Sequence, residues 1–257
     1  MSQSISQPAQ LAGTLRLVSL LQGSSAFANS SRVWLVLVAY LAIIKVVVDS
    51  FFPAALAADD QRAVFSWPVI AVMGGFGLVG VALMNRTGFP AALDPRVSNR
   101  ARVLVPAAIG FALGALQVGV DLATGYTRLA DAAHGVQQQY TGFWPMLLVF
   151  TAVPVMVEAL YRFLLVPLVL WLVSSLLLRG RAQQVVFWIL AALTSLWEPL
   201  TQTTAIDGIG PLLFAVLLSL GWLLNFAEAA TWRRAGILAP FALRVAFYLV
   251  WHVAYVH

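Results

Sequence analysis

Apolar residues fall in seven long blocks, near residues 33–57, 66–84, 103–124, 143–178, 185–200, 211–227 and 236–256, separated by shorter polar stretches. A bilayer core about 30 Å thick takes about 20 apolar residues of helix, so most of the blocks match one crossing. They predict an all-α, polytopic integral membrane helix bundle of about seven transmembrane helices, or eight if the fourth block divides. That block, 143–178, is too long for one straight crossing and contains Pro154 and Pro167, each of which removes a helix donor. It is expected to be tilted, broken, or two segments. The fifth block is short and ends in Trp197, Glu198, Pro199 and Leu200, where irregular backbone buried among other helices is expected.

Ahead of the first block, residues 1–32 read as a cytoplasmic segment with a short amphipathic helix. Leu11, Leu15, Val18 and Leu21 are spaced for one apolar face. Ala26 and Ala28 give the segment a faint look of a signal peptide, but Arg16 interrupts its apolar run. Residues 33–257 then form a single transmembrane domain.

The connections orient the bundle. With the N-terminus in the cytoplasm, the inside segments carry Arg16 and Arg32, then Arg86, Arg96, Arg100 and Arg102, then Arg179 and Arg181, then Arg233 and Arg234. The outside segments carry only Arg62 and Arg128, offset by Asp59, Asp60, Asp131 and Asp207. This alternation satisfies the positive-inside rule at every loop and puts the C-terminus outside, as in a bacterial inner membrane. An eighth crossing would break it.

Composition agrees with the pattern and removes several chemistries. The chain is 61% apolar and 10% charged, against about 45–50% and about 25% in soluble domains. It has no cysteine, hence no disulfide framework, thiolate metal site or cysteine nucleophile. The net charge of +5 comes almost wholly from arginine, Lys45 being the one lysine. In a membrane chain that excess reports topology, so the first partner is the lipid bilayer and no nucleic acid is expected.

Ionisable groups inside a span are costly and mark candidate sites. Lys45 and Asp49, four apart, are expected to pair with each other, and Asp121 to sit at the membrane interface. There remain Glu158 with Arg162, Glu198, and the series Arg244, Tyr248 and His252, which lines one face of the last helix at i, i+4 and i+8. Two readings of these residues stay open. Either Glu158 is a general base or metal ligand with other groups converging on it, or Glu158 and Glu198 are carboxylates neutralised by Arg162 and Arg244 in a buried network that fixes helix register.

The order of these pieces resembles a known family. The stretch VEALYRFLL, with Glu158, Tyr161 and Arg162, is similar to the first motif of the CaaX protease and bacteriocin-processing (CPBP) family of intramembrane proteases: two glutamates, three residues, then arginine. Gly236, Ala239 and Pro240 match the entry to its last motif, and LLNFAEAATWRRAG looks like its polar connector. The likeness covers about residues 70–256. At the positions that the resemblance would make catalytic, this chain differs. The first glutamate falls on Val157, the second-motif histidine on Glu198 (or Trp197 in a register one residue earlier), the third-motif histidine on Arg244, and the asparagine on Tyr248.

Valine is neither a base nor a ligand, and arginine stays protonated and cannot bind a cation. The substitutions allow instead an ion pair from Glu198 to Arg244 across the position of a former site, with Tyr248 donating a hydrogen bond. What the resemblance implies is therefore a catalytically inactive homologue acting as a scaffold, docking or accessory subunit for another integral membrane protein. One alternative is an active CaaX-type or bacteriocin-processing endopeptidase, with catalytic candidates Glu158, Arg162, Glu198 and His252. A divalent metal is expected only in that case, and otherwise no cofactor. Another alternative is a pigment- or cofactor-carrying subunit with His252 as axial ligand, since His134 and His257, the other histidines, are not placed within a span.

Overall fold

The computed structural model describes residues 7–53, 63–128, 142–206 and 208–255, with side chains from residue 25 onward. Among the described residues seven helices long and apolar enough to cross a membrane follow one another: α1 (Gln7–Phe51), α2 (Trp67–Arg86), α3 (Arg100–Thr124), α4 (Phe143–Leu177), α5 (Gln183–Thr204), α6 (Pro211–Ala235) and α7 (Leu238–Tyr255). The chain is an integral membrane protein built as a helical bundle.

Two boundaries differ from the sequence reading, and one alternative that it left open is decided. The backbone of α1 runs without a break from Gln7 to Phe51, its apolar part being Ser25–Phe51, so the short helix expected over 11–21 is continuous with the first span. α4 is one continuous helix. It widens into π-turns at Ala159–Leu164 and Trp171–Leu177, on either side of the segment that holds Pro167. Proline offers no N–H to the preceding turn and its ring crowds that turn's carbonyl, and a local π register accommodates both effects without ending the helix. The stretch expected to be a polar connector, residues 223–236, lies almost wholly inside α6, which Gly236 ends with φ 82°.

Within α5 a turn at Ser195 and Leu196 separates Gln183–Thr194 from the short helix Trp197–Thr204. The expected irregularity is present but lies one turn earlier, ahead of Trp197. It has a consequence for the site: Trp197 is exposed while Glu198 and Pro199 are buried.

Outward faces carry Leu35, Ile43, Leu122, Leu176 and Leu212, apolar side chains that suit lipid. Inside, α1 packs on α2 and α4, and α7 is wrapped by α3, α4 and α6. Close approach depends on glycine. A Cβ at Gly80 of α2 would overlap the Phe163 carbonyl of α4, and one at Gly110 of α3 would overlap the Leu243 carbonyl of α7. With no hydrophobic force between helices in lipid, such backbone-to-backbone contact supplies the packing energy.

An aromatic cluster fills the centre. Trp34, Phe163, Phe241 and Trp232 meet with ring centroids 5.5–6.4 Å apart, and Trp34 Nε1 donates to the Gly74 carbonyl at 2.8 Å. At one end of the bundle the Thr87 carbonyl accepts from Gln183 Nε2 at 2.8 Å and from Arg233 Nη1 at 3.0 Å. That joint ties the C-terminal end of α2 to the start of α5 and the end of α6.

Candidate functional site

Four helices deliver charged or amide side chains to one point. Glu158 and Arg162 come from α4, Glu198 from α5, Asn225 and Glu228 from α6, and Arg244 with Tyr248 from α7. All are buried, and Glu158, Glu228 and Arg244 are 0% exposed. The sequence placed five of these residues as candidates. It missed Asn225 and Glu228, because charges that follow an apolar block, as here after Leu224, look like a connector. Their spacing carried a usable signal: positions 225, 228 and 232 recur at i, i+3 and i+7, which is one helical face.

Arg244 is the hub. Its Nη1 and Nη2 donate to Glu198 Oε1 and Oε2 at 2.8 and 3.0 Å, a two-pronged pairing. Its Nε and Nη2 donate to Glu228 Oε1 and Oε2 at 2.9 and 2.7 Å, a second such pairing on the adjacent edge of the guanidinium. Nη2 also donates to Asn225 Oδ1 at 2.9 Å, and Nε lies 3.2 Å from Glu158 Oε1. Tyr248 takes the role opposite to the one expected. Its hydroxyl oxygen accepts from Arg244 Nη1 at 3.2 Å.

Arg162 is the second hub. Its Nη1 donates to Glu158 Oε1 at 2.7 Å, one turn back on the same helix. Its Nη2 pairs with Glu228 and with Asn225 Oδ1. Three carboxylates thus share two guanidinium groups, and Asn225 bridges the two arginines through one amide oxygen. The expected neutralisation of Glu158 by Arg162 and of Glu198 by Arg244 is present, with Glu228 as an additional anion. Glu158 Oε2 is buried and has no hydrogen-bond partner.

Val157, beside Glu158, is half-buried and brings no polar atom. His252 does not join the cluster. Its ring lies flat on Phe150, centroids 3.9 Å apart and planes at 3°, and edge-on to Tyr248 at 5.0 Å. No hydrogen bond links His252 to Glu158 or Glu198. His134 and His257 lie outside the described residues.

The donor set also bears on a metal. A divalent cation needs several oxygen or nitrogen ligands turned toward one point, and here each carboxylate is turned toward a guanidinium. Arg244, itself a cation, stands between Glu198 and Glu228. Among the described residues no group of three or more His, Asp or Glu side chains is disposed to hold an ion. The residues do not fit a metal centre.

Two other sequence candidates resolve elsewhere. Lys45 Nζ bonds Asp49 Oδ2 at 2.7 Å, as expected for an i, i+4 pair. Asp121, in the last turn of α3, is buried within the protein. Its Oδ1 accepts from the Thr127 backbone N–H at 2.8 Å and its Oδ2 from the Tyr255 hydroxyl at 2.8 Å, tying the end of α3 to the end of α7.

A cleft of about 580 Å³ reaches this cluster from the ends of α3, α5 and α7. Thr201 and Gln202 stand exposed at its mouth, and Glu198, Asn225, Arg244 and Tyr248 form its floor. Compared with protein-family models, with curated proteins and with solved structures, the chain matches none.

Proposed function

We propose that the protein is a CPBP-like membrane bundle without protease chemistry, serving as a scaffold, docking or accessory subunit for another integral membrane protein. We place it in a bacterial cytoplasmic membrane with its N-terminus inside, on the distribution of arginine among its connections.

One observation carries the loss of catalysis. Every nitrogen of Arg244 is engaged by Glu198, Glu228, Asn225 or Tyr248, at the point where the motif-like segments of α4, α5 and α7 converge. A hydrolytic centre needs a base or ligands free to hold water, and here each of the three carboxylates is ion-paired with a guanidinium. The same ion pairs are well suited to holding four helices in register, because a member left unpaired at this depth is expensive. What remains for function is the shape and surface of the bundle.

The test is cleavage of quenched hydrophobic peptides by purified protein in detergent, beside Glu158→Ala. Neither protein is expected to turn over substrate above the detergent blank. Turnover by the native protein that disappears in Glu158→Ala would restore the endopeptidase reading. Site-specific crosslinking in native membranes then tests docking: the same membrane protein should be trapped from one face of the bundle, and should rebind when the two are reconstituted together.

A further inference from the structure

The cleft above the ion-pair cluster has its own chemistry. At about 580 Å³ it lies within the range of small-molecule sites, about 300–1,000 Å³. Its walls are aromatic: Tyr126, Phe247, Tyr248, Trp251 and the His252 ring all line it. Tyr126 and Trp251 stack with centroids 5.7 Å apart and planes at 9°, which holds both rings in place. The hydroxyl of Thr127, also on the wall, is buried without a hydrogen-bond partner.

Charge decides what such a cleft takes. Among the described residues that line the cleft, the one guanidinium is Arg244, and its nitrogens are committed to carboxylates, an amide and a phenol, so an anion finds no free cationic donor on this lining. The described residues of the floor and the layer beneath it hold three carboxylates, Glu158, Glu198 and Glu228, against two guanidiniums, Arg162 and Arg244. That count leaves one negative charge when all five groups are ionised, in a low-dielectric setting where the field is weakly screened. Aromatic faces with an excess of negative charge behind them attract a cation, and one that needs no inner-sphere ligands.

We propose that this cleft binds a small organic monocation, an alkyl- or arylammonium group, seated against the aromatic walls with the Glu198 carboxylate at its floor. The site goes beyond the scaffolding role. The ammonium group belongs either to a free amine or to a lysine side chain of a polypeptide.

Calorimetric titration of the detergent-solubilised protein with benzylammonium tests it, with benzyl alcohol and benzoate as neutral and anionic probes of similar shape. Saturable binding of benzylammonium is expected, at least about tenfold tighter than either other probe. Leu217→Trp, which fills the cleft without changing charge, abolishes it. Glu158→Gln, beneath the floor and outside the cleft lining, removes the excess charge and weakens binding several-fold. A parallel titration with an apolar peptide carrying one lysine separates the sources: tighter binding than benzylammonium assigns the polypeptide, weaker binding the free amine. Equal binding of the three small probes overturns the proposal, as does benzylammonium binding that survives Leu217→Trp or a native protein that gives no saturable heat. Should Leu217→Trp fail to fold, the ranking of the three probes on the native protein and the response of Glu158→Gln still decide it.

Discussion

Arg244 and Glu198, 46 residues apart in the chain, meet as a two-pronged ion pair with N···O distances of 2.8 and 3.0 Å, and Arg244 is wholly buried. The pair joins α5 to α7, and Glu228 on the other edge of the same guanidinium joins both to α6. A buried ion pair adds little net stability over an apolar packing of the same volume, but removing one member strands the others.

Arg244→Met is therefore expected to cost about 3–5 kcal/mol, since Glu198 and Glu228 lose their main partner while remaining buried. Thermal unfolding in detergent measures it. Arg244→Lys should recover little of the loss, because an ammonium cannot present two parallel donors to each of two carboxylates.

The Lys45–Asp49 pair provides the contrast. The Asp49 side chain is 46% exposed, so deleting its partner leaves a carboxylate that is still partly accessible. Lys45→Met is expected to change stability by less than about 1 kcal/mol in the same assay. A loss as large as that of Arg244→Met would mean that α1 depends on this pair for its position.

Helix contact predicts opposite signs for two glycines. Gly110→Ala puts a Cβ onto the Leu243 carbonyl and must push α3 off α7, at a cost of about 1–3 kcal/mol or more. At Gly75 of α2 nothing lies within 4 Å of an added Cβ, so Gly75→Ala should be neutral or stabilising by up to about 1 kcal/mol. Unfolding midpoints of the two variants against the native protein check both.

The loop between α2 and α3 predicts a pH dependence. Asp94 is buried there, and Arg96 donates to its two oxygens at 3.0 and 2.7 Å. This guanidinium holds the Asp94 carboxyl below its ordinary value, despite burial acting the other way. A carboxyl depressed by folding contributes stability that is fully present above the unfolded value of about 3.9 and is lost as pH falls through the lower folded one. Asp94→Asn should therefore be less stable than the native protein at neutral pH, and the gap should close only below about pH 4. A gap that stays constant down to the acid limit would remove the ion pair as its cause.

Legibility was uneven for physical reasons. The spans could be read because hydropathy is a property of consecutive residues. The end of α6 could not, because Glu228 sits in it at full burial, and a charge in an apolar run reads as a loop unless its partner is known. Glu198 was separated from Trp197 only by the turn at Ser195 and Leu196, which rotates one residue inward and the other outward. His252 shares a helical face with Arg244 and Tyr248, yet Phe150 of α4 covers its ring and keeps it out of the ion-pair cluster.

By itself the sequence determined a seven-helix membrane bundle and the local pairs Lys45–Asp49 and Glu158–Arg162, since lipid demands apolar helices and i, i+4 neighbours meet in any helix. Only the tertiary structure decided that three carboxylates share two guanidiniums, and that an aromatic cleft opens above them. Both depend on how α4, α5, α6 and α7 are rotated about their axes, and that rotation is set by contacts such as Gly80 on Phe163 and Gly110 on Leu243 between helices far apart in the chain.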